Sequence, residues 1–391
     1  PLRVASLQLT TVLNAKHTAE IAAVSVITHD KVSIESATPN PTALSSFSVI
    51  RKLDKAWPWD LQRTISADKR LKVEVCPSER ALLNFLIARL HTLDADVLVG
   101  HNIASHAMAV LLQRMSACKI QHWSKVGRMR VKNMPRLSST SSAFSGGNWE
   151  SWQVVAGRLM CDTFLSSREL LGSQRSYGLK ELARTQLNTN KPEVEVGAVA
   201  GMFDETASLL QLVRCGENDA FLSLQLMFKM QVLPLTKQLT TLAGNLWAKS
   251  LQGKRAERIE YLLLHEFHKL KYVVPDKETM AMRNAKRKAK AADDGEEEVD
   301  EDDGSRRNGD QSGRKKPAYA GGLVLEPKRG FYDKFVLLLD FNSLYPSIVQ
   351  EYNICFTTVV RPTEDEEGVM PLARPPPPSV ETGVLPRLIG H

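Results

Sequence analysis

The residues best suited to chemistry in this 391-residue sequence follow an apolar run in its C-terminal part. Residues 335–339 are Phe, Val, Leu, Leu and Leu, which is typical of a buried strand, and Asp340 comes directly after them. Pro346 is a favourable first-turn residue, so we predict that a helix begins near it. A carboxylate at a strand end suits Mg²⁺, and the backbone amides of residues 343–345 could bind phosphate oxygens.

The same residues also suit a purely structural role. A single Asp after a strand often caps a turn, and Tyr345 could belong to the core. A second pattern, Tyr319 with Gly321 and Gly322, would let the backbone approach a phosphate closely, but it is also typical of an ordinary turn. The residue types alone leave these alternatives open.

Composition and length narrow the class of protein. The 51 Lys and Arg residues exceed the 44 Asp and Glu residues, and the resulting net charge of +7 weakly favours a polyanionic partner. The length predicts about two or three domains, and no apolar run approaches the roughly 18 residues of a membrane span. The five cysteines are far apart, which argues against a disulfide framework or a zinc module. The chain begins at Pro1 without an initiator Met or a signal-peptide pattern, so we expect a fragment.

Hydrophobic periodicity over the first 233 residues predicts an α/β domain. Residues 2–13 and 21–27 are predicted to form a strand hairpin, and Ser78 is a plausible N-cap for the helix that follows it. The other predicted elements are strands over 96–99 and 154–160 and helices over 107–115, 179–187 and 206–233.

Two further regions follow this α/β domain. Residues 234–279 are predicted to form a helical connection that ends in a strand-like stretch over 272–275. Residues 280–316 contain a basic cluster at 283–290 followed by an acidic run, and we predict a disordered insertion because like charges repel one another. The basic cluster could be a nuclear localisation signal, although basic runs are frequent in such insertions.

Residues 340–356, with the sequence DFNSLYPSIVQEYNICF, resemble the first palm motif of the B-family DNA polymerases. The flanking residues 319–327 and 330–335 are similar to those of the replicative members that work with a primase. The resemblance implies an RNase H-like exonuclease-type domain over residues 1–233, with a mixed sheet and flanking helices. It also implies that the N-terminal part of a polymerase palm occupies residues 317–391.

The resemblance further implies DNA-directed DNA polymerisation, in which dNTPs are added to a primer and two Mg²⁺ ions stabilise the attacking and leaving oxygens. Asp340 resembles a catalytic aspartate that binds metal, and the carbonyl of Phe341 resembles an additional metal ligand. The amides of Ser343, Leu344 and Tyr345 are implied to bind the triphosphate, and the Tyr345 ring is implied to exclude a 2′-hydroxyl.

Partners and location follow from the same resemblance. Tyr319, Gly321 and Gly322 are similar to a family segment that contacts the DNA template strand. The expected partners are primer–template DNA, an RNA–DNA primer, dNTP, primase and accessory polymerase subunits. The expected location is the nucleus, and neither a membrane contact nor a zinc site is expected in this chain.

The exonuclease-type motifs depart from the family pattern. Gln8 and Thr10 stand where proofreading members have two acids, and Ala107 stands at another acidic position. Asp219 is retained, but Cys215 stands where a Tyr is expected. One carboxylate cannot hold two Mg²⁺ ions against water, so we expect that proofreading is lost.

Two alternatives stay open at this point. The chain could be an active 3′–5′ exonuclease, or it could be a non-catalytic DNA-binding or subunit-docking fragment. The sequence ends at His391, before the fingers lysine and the second palm aspartate that the family uses. We therefore expect that this chain alone does not extend primers.

Overall fold

The computed structural model describes residues 1–14, 17–35, 38–68, 70–135, 149–276, 282, 325–359 and 375–390. They divide into two units, Pro1–His265 and Glu266–His391. No helix within these described ranges is long and apolar enough to cross a bilayer. The charged insertion predicted over 280–316 lies outside the described residues, apart from residue 282.

A six-stranded mixed sheet forms the centre of the first unit. Its strands are β1 (Leu2–Leu13), β2 (Ala19–Val32), β3 (Leu44–Arg51), β4 (Val73–Cys76), β5 (Val97–Gly100) and β6 (Leu159–Asp162), in the order β4-β3-β2-β1-β5-β6. The first three strands are antiparallel, whereas β4, β5 and β6 each pair in parallel with a neighbour. The predicted hairpin and the mixed α/β fold class are therefore confirmed.

Ten helices are described between residues 61 and 269. They are α1 (Leu61–Ala67), α2 (Glu79–Leu93), α3 (Met108–Ala117), α4 (Trp149–Val154), α5 (Thr163–Leu170), α6 (Leu179–Gln186), α7 (Thr206–Lys229), α8 (Val232–Ala243), α9 (Trp247–Leu251) and α10 (Arg255–Lys269). A π-helical turn, Ile103–Ala107, joins β5 to α3. The helix predicted over 206–233 is divided into α7 and α8 because Gln231 adopts a left-handed backbone conformation with φ of +48°.

The side chains of β1 alternate between two helical layers. Ala5 and Leu7 pack in a cluster with Leu111 of α3 and with residues of α2. Val4 lies in a second cluster with Leu224 of α7. Because successive side chains of a strand point to opposite faces, helices cover the sheet on both sides.

The strand predicted over residues 154–160 is wrong for its first half. Val154 is the last residue of α4, and strand β6 begins only at Leu159. Between them Gly157 has φ of +88°, and a Cβ atom there would lie 2.7 Å from the Cβ of Arg128. Val154 and Val155 are buried in the core. A short apolar run of this kind has the same pattern at the end of a helix as in a strand, so the pattern could not distinguish the two.

The second unit contains α11 (Leu344–Glu351) and α12 (Val384–Gly390), which contact each other. The helix predicted near Pro346 is thus confirmed. The strand predicted over residues 335–339 is wrong, since these residues have no regular structure and each side chain is at least 74% exposed. A strand needs a neighbouring strand as its hydrogen-bonding partner. The described residues of this unit include no strand. The strand-like stretch predicted over 272–275 is also irregular.

The helix predicted after Ser78 is confirmed, and it provides a test of local stability. The Ser78 hydroxyl accepts a hydrogen bond from the Ala81 amide at 3.3 Å, which caps α2. Replacing Ser78 with Ala should lower the free energy of unfolding by about 1 kcal/mol, because a first-turn amide loses its acceptor. Chemical denaturation measures this, with Ser116→Ala near the end of α3 as the matched control. An equal effect of both substitutions would show that the cap contributes nothing.

Candidate active site

Asp340 lies at the end of the exposed irregular segment, and three residues separate it from the start of α11. Its side chain is exposed. Among the residues that the structure describes, no donor or cation contacts its carboxylate. The carboxylate is therefore accessible from solvent, although no strand fixes its direction.

The first turn of α11 has backbone amides that no side chain caps. Ser343 precedes the helix with φ of +53°, and its side chain makes no capping hydrogen bond. Its carbonyl instead accepts hydrogen bonds from the amide and hydroxyl of Ser347, at 2.9 and 3.0 Å. The first amides of a helix have no acceptor inside the helix, and they carry its partial positive charge. The amides of Leu344 and Tyr345 thus suit an anionic oxygen.

Two aromatic side chains flank this turn in exposed positions. Tyr345 is the second residue of α11 and is 79% exposed, and Phe341 follows Asp340 with 77% exposure. The alternative in which Tyr345 belongs to the core is therefore wrong for the described structure. An exposed ring beside uncapped amides is free to contact a ligand.

An amide side chain, that of Asn353, fixes the end of α11, although no local sequence pattern singles it out. The Asn353 side chain donates to the carbonyl of Glu381 at 3.0 Å and accepts from the Gly383 amide at 2.7 Å. The buried Cys355 sulfur accepts from the Leu385 amide at 3.3 Å. These contacts hold α11 against α12, so the orientation of the candidate site depends on them.

Several residues selected from the sequence or from the resemblance lie outside the described part of the chain. Tyr319, Gly321 and Gly322 lie outside the described residues, as does the basic cluster at 283–290. Their proposed contacts with DNA and with the nuclear import machinery stay predictions.

The fit to a metal site is incomplete. No group of three or more His, Cys, Asp or Glu residues within the described ranges is arranged to hold a metal ion. Asp340 and the carbonyl of Phe341 are hard oxygen donors that suit Mg²⁺, but a single carboxylate does not build a two-ion site.

The exonuclease-type positions lie around β1 and α7. Gln8 and Thr10 lie two and four residues after Ser6 in β1, on the same face of the strand. The Ser6 hydroxyl donates to the carbonyl of Ala220 in α7 at 2.7 Å. A Cβ atom on Gly216 of α7 would lie 3.7 Å from the Thr10 hydroxyl, so the helix passes close to this face of the strand. Gln8 and Thr10 therefore share the α7 face of the sheet.

The remaining two positions differ in their surroundings. Asp219 of α7 forms an ion pair with Lys191, with 3.2 Å between Oδ2 and Nζ. Burial raises the pKa of Asp219, and Lys191 partly opposes this effect. Ala107 ends the π-helical turn and packs against the cluster that contains Leu111, on the other side of the sheet.

The Asp162 carboxylate forms hydrogen bonds to the start of the π-helical turn. It accepts hydrogen bonds from the amides of Asn102, Ala104 and Phe164, each at 2.9 Å. Burial raises its pKa to about 6, although the three amides oppose this change. An acidic cap at Asp162 was predictable from its place before a helix, but its bonds to residues 102 and 104 were not, because they join segments 58 to 60 residues apart.

Comparison with known proteins places this arrangement in a family. The family model "DNA polymerase family B, exonuclease domain" matches residues 1–182, and the model "DNA polymerase family B" matches residues 245–389. The two matches together cover most of the sequence, and the chain belongs to DNA polymerase family B.

Within that family, the chain is similar to DNA polymerase alpha catalytic subunits. It is 46% identical over 412 residues to the one from Arabidopsis thaliana, 47% over 413 residues to the one from Oryza sativa subsp. japonica, and 43% over 398 residues to the one from Mus musculus. Each alignment covers 100% of this chain and 26% of the relative. The chain thus spans about a quarter of the length of these curated relatives.

A solved structure supports the fold. The family B DNA polymerase from the hyperthermophilic archaeon Pyrobaculum calidifontis aligns with a TM-score of 0.57 and 20% sequence identity. The alignment covers 100% of this chain and 41% of the archaeal chain. At this identity the likeness concerns the fold alone.

Proposed function

We infer that this chain is part of a replicative DNA-directed DNA polymerase that extends primers with dNTPs. The observation that carries the proposal is the accessible carboxylate of Asp340 beside the uncapped first turn of α11, within the residues that match the polymerase family model. The similarity to DNA polymerase alpha catalytic subunits supports the same reaction. The test is primer extension by the full-length protein in which Asp340 is replaced.

Asp340 and the carbonyl of Phe341 would hold Mg²⁺ in the full-length protein, together with ligands from elsewhere. When bound, Mg²⁺ supplies charge that stabilises the attacking and leaving oxygens of phosphoryl transfer. The amides of Ser343, Leu344 and Tyr345 would orient the triphosphate, since backbone donors at a helix start do not move as long side chains do. This chain's part in catalysis is then to bind and orient the nucleotide.

Tyr345 would set the preference for deoxyribose. Tyr345 is the second residue of α11, so its exposed ring lies beside the amides that would bind the triphosphate. A ring packed beneath the sugar leaves no room for a 2′-hydroxyl, so ribonucleotides would be excluded by their shape. Tyr319, Gly321 and Gly322 would contact the template strand, and primase and accessory subunits would be further partners in the nucleus.

The domain organisation of the chain is part of the same proposal. Residues 1–233 would form an exonuclease-type domain without proofreading activity, and residues 234–279 would connect it to the palm. Residues 280–316 would be a charged insertion, and residues 317–391 would begin the palm. The substitutions at Gln8, Thr10 and Ala107 support the loss of hydrolysis, because two metal ions need more than the one acid at Asp219.

The purified 391-residue chain gives a separate expected result. It should bind primer–template DNA with an affinity that falls steeply as salt rises, because phosphate contacts release counterions. It should neither lengthen nor shorten the primer, because its described residues hold one carboxylate at each candidate site. Fluorescence anisotropy over a salt series and a gel of labelled primer measure both properties. Templated lengthening by this chain alone would overturn the interpretation of Asp340 as one part of a larger site.

A further inference from the structure

The ion pair between Lys191 and Asp219 is more buried than the ion pair next to it in the sequence. The two side chains are 13% and 15% exposed, whereas the neighbouring pair of Lys180 and Glu193 is 60% and 57% exposed. Lys191 comes from the irregular segment after α6, and Asp219 lies in the middle of α7, 28 residues later. A lysine in such a place loses much of its hydration, so it needs a close anionic partner.

Several other groups lie around this ammonium. Burial lowers the pKa of His101, after β5, to about 4, and the charge of Lys191 adds to this effect. Burial raises the pKa of Cys215, one turn before Asp219 on α7, and the charge of Lys191 opposes this change. Glu217 of α7 accepts a hydrogen bond from the Ser48 hydroxyl at 3.0 Å and forms no ion pair with Lys191 among the described residues. Glu193 is close enough to interact with the charges of both Asp219 and Lys191, but its hydrogen-bonded ion pair is with Lys180, at 2.7 Å.

Among the described residues, Asp219 is the carboxylate that forms an ion pair with Lys191, at 3.2 Å, whereas Glu193 acts on both charges without such a pair. Asp219 is the acid that the exonuclease-type motifs retain, and its charge is already balanced by a cation from the chain itself. A divalent ion placed at Asp219 would have one carboxylate to bind and would lie beside a like charge, which disfavours its binding.

We propose that the ammonium of Lys191 is a built-in cation that occupies the metal-binding side of Asp219 and makes the degenerate exonuclease site independent of divalent ions. This proposal rests on the proposed loss of proofreading, and it adds a cause to the missing acids. Lys191 is a positioning residue in this account: it fixes Asp219 and joins the segment after α6 to α7.

A thermal unfolding experiment on the purified chain tests the pairing. Lys191→Ala should lower the melting temperature by about 5 °C, because Asp219 loses its buried partner. Lys191→Arg should retain most of the wild-type value, because the guanidinium still supplies a cation. In the Asp219→Asn background, Lys191→Ala should have a clearly smaller effect than in the wild type. Equal effects of Lys191→Ala in both backgrounds would refute the pairing.

Chemical rescue separates a cation site from simple packing. Added ethylammonium should raise the melting temperature of Lys191→Ala, because its ammonium can enter the space left by the lysine. It should leave wild type, Lys191→Arg and the Lys191→Ala/Asp219→Asn double variant unchanged. Tetramethylammonium, which has no N–H donor, is the control ion and should rescue nothing. Equal rescue by both ions, or no rescue by ethylammonium, would contradict the proposal.

Direct metal binding covers the case in which the Ala variant does not fold. Wild-type protein titrated with Mn²⁺ and followed by electron paramagnetic resonance should show no binding that is removed by Asp219→Asn. Tight Mn²⁺ binding that requires Asp219 would overturn the proposal. Because these measurements use neither DNA nor dNTP, they can fail while the proposed polymerase function holds, and the reverse is also true.

Discussion

Replacing Asp340 with Ala in the full-length protein should lower primer extension by more than about 10³-fold, because a lost metal ligand removes several kcal/mol of transition-state stabilisation. The carboxylate is exposed, and no partner contacts it among the described residues, so its removal should leave the fold intact. Single-turnover extension of a labelled primer measures the effect on the chemical step, and thermal unfolding of the same preparation checks the fold.

Asp333→Ala is the matched control for this substitution. Asp333 is another exposed acid of the same irregular segment, seven residues before Asp340. It should retain extension near the wild-type rate. If Asp340→Ala retained normal turnover, or if both substitutions reduced it equally, Asp340 would have no specific place in the reaction.

Replacing Tyr345 with Ala should reduce discrimination against ribonucleotides by about 10- to 100-fold, because the loss of the ring opens space for a 2′-hydroxyl. Incorporation of dNTPs should change much less, since the proposed triphosphate contacts come from backbone amides that the substitution keeps. The measurement is the ratio of kcat/KM for a dNTP to that for the matching ribonucleotide.

Tyr352→Ala serves as the control, because Tyr352 is an exposed tyrosine directly after the last turn of α11. Its substitution should leave the sugar preference unchanged. The gate assignment would be wrong if Tyr345→Ala kept full discrimination, or if Tyr352→Ala relaxed it to the same degree.

Much of the first unit was predictable because its signals are local. The hairpin of β1 and β2 follows from apolar alternation, and α2 follows from the Ser78 cap and a helical repeat of leucines. The segment over 335–339 has an equally clear apolar pattern, yet it is irregular and exposed. A strand depends on a neighbouring strand, and such a partner is not a property of the run itself.

The candidate sites divide in the same way. Asp340 and the start of α11 could be found from their neighbours in sequence, and the absence of acids at Gln8 and Thr10 could be read from the motif positions. Lys191 could not be found, because its importance comes from an acid 28 residues away that only the fold brings within 3.2 Å. A buried ion pair between distant segments leaves no local pattern.

In our proposal, this chain contributes Asp340 to DNA synthesis, and its exonuclease-type site does not hydrolyse DNA. The most direct measurement follows a 5′-labelled primer on a template with Mg²⁺ and the full-length protein, with and without dNTPs. We expect longer products with dNTPs, no shortening without them, and an unchanged primer in both cases for Asp340→Ala. Lengthening that persists in Asp340→Ala, or shortening that Asp219→Ala abolishes, would contradict the claim.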